Sequence, residues 1–119
     1  KRGELDNFTL GNIEIKKDWG YAKDYANAMI LMAHSPNPQD YIISSSELHT
    51  IRDFIEICSL KIGLPDWEKH ITTNSQIIGR KIRGQLYGDS SKIRTELCWK
   101  STLSFEQLIE NMIQEEDYK

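Results

Sequence analysis

The sequence predicts a small, helix-rich α/β domain with a few short strands, and three observations predict it. Apolar residues recur at helical spacing in three separate windows. Between them stand short runs rich in β-branched and aromatic residues, closed by Gly, Pro, Asn or Ser. The 119 residues, 39% hydrophobic and 28% charged, suffice for one compact unit over 1–119 with a modest core.

The first run, NFTLGNIEI, has the content of a strand and is broken at Gly11 and Asn12 by turn chemistry. A charged turn, KKDW, follows. After Gly20, the spacing of Ala22, Tyr25, Ala26, Met29, Met32 and Ala33 predicts a helix with one buried stripe, ended by SPNP at 35–38. DYIISS, 40–45, predicts a short buried strand between Asp40 and a serine cluster. A second helix opens at Thr50, whose hydroxyl caps the first turn, with Asp53 favouring the helix dipole. Its stripe is Ile51, Phe54, Ile55, Cys58 and Ile62, and Gly63 and Pro65 stop it. The stretch from Asp66 to Asp89 shows no clear period and predicts a loop with one strand around Gln76 to Ile78. DSSKIRTEL predicts a short helix capped by Asp89 or Ser90. The last helix starts at Ser104, which forms a capping-box pair with Gln107, and its stripe is Phe105, Leu108, Ile109, Met112 and Ile113.

The formal net charge of −3 argues against a general electrostatic grip on nucleic acid. It leaves room for a local basic cluster, Lys16, Lys17 and Lys23, and for an anionic small molecule. Cys58 and Cys98 form no CxxC and have no His at metal-ligand spacing, which predicts a reduced, cytoplasmic chain without a disulfide framework. His34, His49 and His70 are scattered and fit neither a metal site nor a triad, so no metal is expected. No apolar run reaches membrane-spanning length, so no membrane partner is expected. The opening KRGELDNF has neither Met nor a signal pattern, and the expectation is that Lys1 lies inside a longer polypeptide.

Three ordered blocks carry a family resemblance. LGNIEIKKDWGYAKDYANAM resembles the segment of GDP-mannose 4,6-dehydratases that reads Leu-Gly-Asn, a few residues, then Arg-Asp-Trp-Gly-His-Ala-Lys-Asp-Tyr. DYIISSSELHTIRDFIE is similar to Asp-Phe-Val-Ile-Ala-Thr-Gly-Glu-x-His-Ser-Val-Arg-Glu-Phe-Val-Glu. YGDSSKIRTELCWKSTLSFEQLIENMI is similar to the close Gly-Asp-Pro-Thr-Lys, Leu-Gly-Trp-Lys-Pro, Phe-Glu-Glu-Leu-Val. The resemblance covers most of the chain. It implies the C-terminal, substrate-binding part of an extended short-chain dehydrogenase/reductase, without its complete Rossmann domain. The whole enzyme would convert GDP-mannose to a 4-keto-6-deoxy sugar nucleotide with tightly held NADP. Neither the Gly-rich dinucleotide loop nor Tyr-x-x-x-Lys is present: none of Tyr21, Tyr25, Tyr41, Tyr87 and Tyr118 has Lys four residues on. The chain alone is therefore expected to hold no cofactor and to perform no chemistry. Its implied partners are a GDP-sugar, an N-terminal Rossmann domain and further copies of itself, the last through the Met29, Ile30, Met32 face and the YIIS strand. The alternatives are a related nucleotide-sugar epimerase or reductase, and a stand-alone binding or assembly module.

The resemblance also nominates residues. Lys17 stands where the family has the Arg expected to face the diphosphate, and a cation there gains a charge-assisted hydrogen bond of about 1.5–3 kcal/mol. Lysine lacks the planar fork that grips two oxygens together. The alternative is that Lys16 and Lys17 are solvated turn residues. Gly11 and Asn12 match Leu-Gly-Asn, where the backbone approaches the nucleotide, but a plain turn explains the pair and is the favoured reading. Arg80 and Arg83 lie where the family carries Arg-Pro-x-Glu-Val, whose Arg reaches the diphosphate; here the text is GRKIRGQL, without Pro or Glu. Asp18 is expected to accept amides at the next helix's start, and Trp19 to pack with its indole N–H engaged. Cys98 replaces the Gly of Leu-Gly-Trp-Lys-Pro, an awkward residue if that position needs positive φ.

Overall fold

The computed structural model describes residues 7–74 and 86–117. Along the chain run β1 (Phe8–Leu10), β2 (Lys16–Asp18), α1 (Ala22–His34), β3 (Leu48–Thr50), α2 (Ile51–Lys61), a 3₁₀ turn (Trp67–Lys69), β4 (Ile71–Thr73), α3 (Ser91–Leu97) and α4 (Phe105–Asp117). The architecture is the helix-rich α/β arrangement with short strands that the sequence predicts. No helix among the described residues is long and apolar enough to cross a membrane.

The strands form two separate pairs. β1 lies parallel to β4, Thr9 opposite Thr72, and β2 lies antiparallel to β3, Lys17 opposite His49. Three expectations are corrected here. The charged KKD stretch is a strand, because β3 supplies it with a ladder. The strand expected at 40–45 has no ladder: the paired residues come later, at Leu48–Thr50. Tyr41 and Ile43 do alternate inward and Ile42 outward, yet among the described residues no hydrogen bond engages the main chain of Tyr41, Ile42 or Ile43. The stretch read as loop contains β4 and the 3₁₀ turn. The strand expected around Gln76 to Ile78 lies outside the described residues.

Helix ends follow local chemistry. Thr50 and Asp53 form a reciprocal capping box on α2, with Asp53 N–H donating to Thr50 Oγ1 at 2.9 Å and Thr50 N–H to Asp53 Oδ2 at 2.7 Å. Gly63 beyond its end has φ +77°, the left-handed stop. Ser104 and Gln107 make the same reciprocal pair at α4. At α3 it is Asp89 that takes the Ser91 N–H, at 2.9 Å; the Ser90 hydroxyl is engaged elsewhere.

The core sits where α1, α3 and the chain after α3 meet: Ala28, Ile93 and Trp99 are buried, with Tyr25, Met32, Tyr41, Ile43 and Leu97 packed around them. This rotates the α1 stripe from its expected place. Asp24 and Ala28 face inward, whereas Ala22, Ala26, Met29 and Ala33 are exposed. The cause is Asp24: its Oδ2 accepts the Thr102 N–H at 2.8 Å, its Oδ1 the Thr102 hydroxyl at 2.7 Å, and its main-chain oxygen the Trp99 indole at 2.9 Å. Because its carboxylate oxygens are both hydrogen-bonded, this acidic residue can be buried.

Candidate functional site

Lys17 stands on β2 directly opposite His49 of β3, so the two side chains leave the same face of the ribbon. The Lys17 side chain is exposed and has no ion pair or hydrogen bond among the described residues. Against the ribbon lies a stack of rings: Trp19 on Phe54 with centroids 5.3 Å apart, and His49 on Phe105 at 3.9 Å with the two planes nearly parallel. Trp19 donates its indole N–H to the His49 carbonyl at 3.1 Å, tying the residue after β2 to the facing strand. Trp19 thus packs and donates, as its ring chemistry requires.

Asp18 does not serve the start of α1. Its two carboxylate oxygens instead accept the N–H groups of Ser45 and Ser46, at 2.9 and 3.0 Å. The loop they belong to turns back through Ser46 at φ +64° and leads into β3. A short ribbon and a serine loop are therefore one unit, hinged on a carboxylate.

Beside the stack opens a cleft of about 280 Å³, lined among others by Trp19, His49, Arg94, Lys100 and Ser104. The His49 Nε2 is buried without a hydrogen-bond partner among the described residues and stands 3.6 Å from a Glu47 carboxylate oxygen. Sequence reading passed over His49, Arg94 and Lys100. The signals available were the Glu-x-His motif for His49 and the Leu-Gly-Trp-Lys-Pro motif for Lys100; Arg94 gave none, because what brings it to the cleft is tertiary.

Of the nominated residues, Gly11 and Asn12 form a turn after β1, in which Asn12 Oδ1 accepts the Glu14 N–H at 2.9 Å. No hydrogen bond among the described residues joins this turn to Lys17. Arg80 and Arg83 lie outside the described residues. Cys98 is left-handed, φ +54°, and both cysteines are free thiols. No cluster of His, Cys, Asp and Glu among the described residues could hold a metal ion.

This fold recurs as a segment of larger enzymes. UDP-glucose 4-epimerase from Bifidobacterium longum, solved with NAD+ and UDP, superimposes with a TM-score of 0.80 at 16% identity, covering 98% of this chain and 36% of that one. The dTDP-glucose 4,6-dehydratase from Bacillus anthracis, solved with NAD, gives 0.80 at 19% identity over 96% and 35%. RMD from Pseudomonas aeruginosa, complexed with NADPH, gives 0.76 at 17% over 93% and 36%. The class this defines is one of fold: nearly the whole of this chain has the arrangement of about a third of each of these larger chains.

Sequence narrows the class further. Residues 1–112 match the model of the GDP-mannose 4,6 dehydratase family, and the chain belongs to that family. The GDP-mannose 4,6 dehydratase of Cricetulus griseus is 34% identical over 128 residues, covering 94% of this chain and 34% of that protein. GDP-mannose 4,6 dehydratase 1 of Arabidopsis thaliana is 36% identical over 116 residues, covering 98% and 32%. The chain spans about a third of the length of the curated relatives it matches.

Proposed function

We propose that this chain is the substrate-binding part of a GDP-mannose 4,6-dehydratase, a lyase of nucleotide-sugar metabolism, and that Lys17 contacts the diphosphate of the GDP-sugar. The observation that carries this reading is the Lys17 ammonium: exposed, without an ion-pair or hydrogen-bond partner among the described residues, and mounted on a ribbon held in place by Asp18 and Trp19. Arg80 and Arg83 are candidates for a second cation, and Gly11 and Asn12 for backbone approach to the nucleotide.

Two structural neighbours hold NAD, while the NADPH of a third supports NADP as the cofactor of the whole enzyme. The residues of this chain do not fit it. Glycines at 3, 11, 20, 63, 79, 84 and 88 never make the Gly-x-Gly-x-x-Gly spacing that brings amides to a pyrophosphate. In this reading NADP and the catalytic Tyr-x-x-x-Lys belong to a dinucleotide-binding portion, in the cytoplasm, and this chain contributes recognition. Exposed Met29 and Ile30 on α1 and Ile42 give apolar surface for that portion or for a second copy, whereas Met32 is turned into the core.

The test is calorimetric titration with GDP-mannose of the chain, and of the chain fused behind the N-terminal portion of the Arabidopsis relative. Lys17→Ala weakens binding about ten- to a hundred-fold, the loss of one charge-assisted hydrogen bond of roughly 1.5–3 kcal/mol. Lys17→Arg binds at least as well as the parent. Equal affinity of parent and Lys17→Ala, with matching melting curves, removes Lys17 from the site.

A further inference from the structure

Under the ribbon, three serines and one arginine form a single hydrogen-bonded chain. Arg94 Nε donates to Ser90 Oγ at 2.9 Å, Ser90 Oγ lies 2.9 Å from Ser46 Oγ, and Ser46 Oγ donates to the Gly88 carbonyl at 3.2 Å. The ends set its direction. An arginine can only donate and a carbonyl only accept, so Ser90 donates to Ser46. Ser44 Oγ joins from the side, giving its proton to the same Gly88 carbonyl at 2.7 Å. A Cβ on Gly88 would stand 2.6 Å from the Ser44 Cβ, so glycine is what allows the two segments to approach. Arg94 Nη2 adds a bond to the Ser45 carbonyl at 2.9 Å.

The arrangement grips a loop that is conformationally reluctant. Ser46 is left-handed without being glycine, and its side chain and main chain are held from opposite sides. The hydroxyl chain fixes the side facing α3. The Asp18 carboxylate fixes the side facing β2. Ser90 is completely buried and Ile93, one turn into α3, is completely buried in the core. The ribbon by contrast has only three residues in each strand and cannot hold its own position.

We propose that Arg94 and Asp18 are positioning residues for Lys17. The clamp ties the serine loop to α3, and Asp18 ties the loop to the strand residue next to Lys17, so that the ammonium is placed by the core of the domain. The inference rests on the reading that Lys17 contacts the GDP-sugar.

The experiment is a double-mutant cycle read by GDP-mannose titration of the same fused protein. Arg94→Ala lowers affinity about three- to ten-fold when Lys17 is present and has no further effect in the Lys17→Ala background. Asp18→Asn lowers affinity in the same Lys17-dependent way. Arg94→Lys, which can serve only part of the fork, falls between parent and alanine. Ser90→Ala cuts the chain while leaving Arg94 in place and reproduces the loss if Arg94→Ala fails to fold. Amide shifts of Ser45 and Ser46 move in each clamp variant. A lower melting temperature with unchanged affinity marks the clamp as purely structural and overturns the inference. A loss that persists in the Lys17→Ala background shows Arg94 touching the ligand itself, and also overturns it. If Lys17→Ala changes nothing, the functional reading fails and takes this inference with it. If Lys17→Ala weakens binding and Arg94→Ala does not, the inference alone fails.

Discussion

Two regions of the molecule are each built around a tryptophan, and they are closed to different degrees. Trp99 is 4% exposed, packs with fully buried Ala28 and Ile93, and gives its indole N–H to Asp24, whose own oxygens are taken by Thr102. Trp19 is half-buried, stacks on a half-buried Phe54, and borders a cleft in which the His49 Nε2 has no hydrogen-bond partner among the described residues. The first region joins α1 to a segment more than seventy residues away through hydrogen bonds of Trp99, Asp24 and Thr102. The second joins β2, β3, α2 and α4 and leaves the His49 Nε2 without a hydrogen-bond partner among the described residues. Similar rings thus serve opposite ends. One region spends its chemistry on stability; the other leaves the His49 Nε2 open beside a cleft.

Paired truncations test this contrast most strongly. Trp99→Ala is expected to cost about 3–5 kcal/mol, the range for removing a large buried ring, and Phe54→Ala roughly 2 kcal/mol because its ring is only half-buried. Urea unfolding midpoints with a common slope give both numbers. Equal losses would break the comparison. A smaller effect of opposite sign lies inside the closed region: Cys98 ends α3 at φ +54°, and Cys98→Gly is expected to stabilise by about 1 kcal/mol, raising Tm by about 4 °C. A fall in Tm would show that the thiol makes up for the conformation.

The smallest expected effect belongs to the open region. The Thr50 N–H, by donating to Asp53, holds that carboxyl below its ordinary value. The unfolded chain therefore binds the proton more readily, and the capping contribution is present above the ordinary carboxylate pKa near 4. It is lost as the pH falls through the lower folded value. Unfolding curves between pH 5 and pH 2 are expected to lose stability more steeply for the parent than for Asp53→Asn. Parallel curves would remove the capping box from the acid response.

What could be read from sequence was local. The Thr50 cap, the Ser104 box and the stop at Gly63 depend on residues within one turn, and all three are in place; the bond that Asp53 returns to the Thr50 N–H goes beyond the dipole role read for it. The awkwardness of Cys98 was visible by setting it against the glycine of a related motif, and the backbone there is left-handed. What failed was tertiary. The α1 stripe was misplaced because periodicity counts Asp24 as outward, whereas Trp99 and Thr102 hold it inward. A ladder is a property of two segments, so the apolar 40–45 run was read as paired and the charged Lys16–Asp18 as unpaired, the reverse of what is found. For the candidate site, Lys17 was legible from its neighbours in the motif. The serine clamp was not, since its hydroxyls bond to residues more than forty positions on.

The stretch from Tyr41 to Ile43 has a consequence of its own. Lys92 lies over the Tyr41 ring and bonds the Asp40 carbonyl, Tyr41 donates to Glu96, and Ser44 is tied to Gly88, so the stretch is anchored on both sides of Ile42. Among the described residues no hydrogen bond engages the amides and carbonyls of Tyr41, Ile42 and Ile43, and Ile42 is 57% exposed. Natural sheets shield an unpaired rim with lysine, proline or a bulge, and none interrupts these three residues. A rim of that kind is where an added strand, from another polypeptide or from a second copy, would pair.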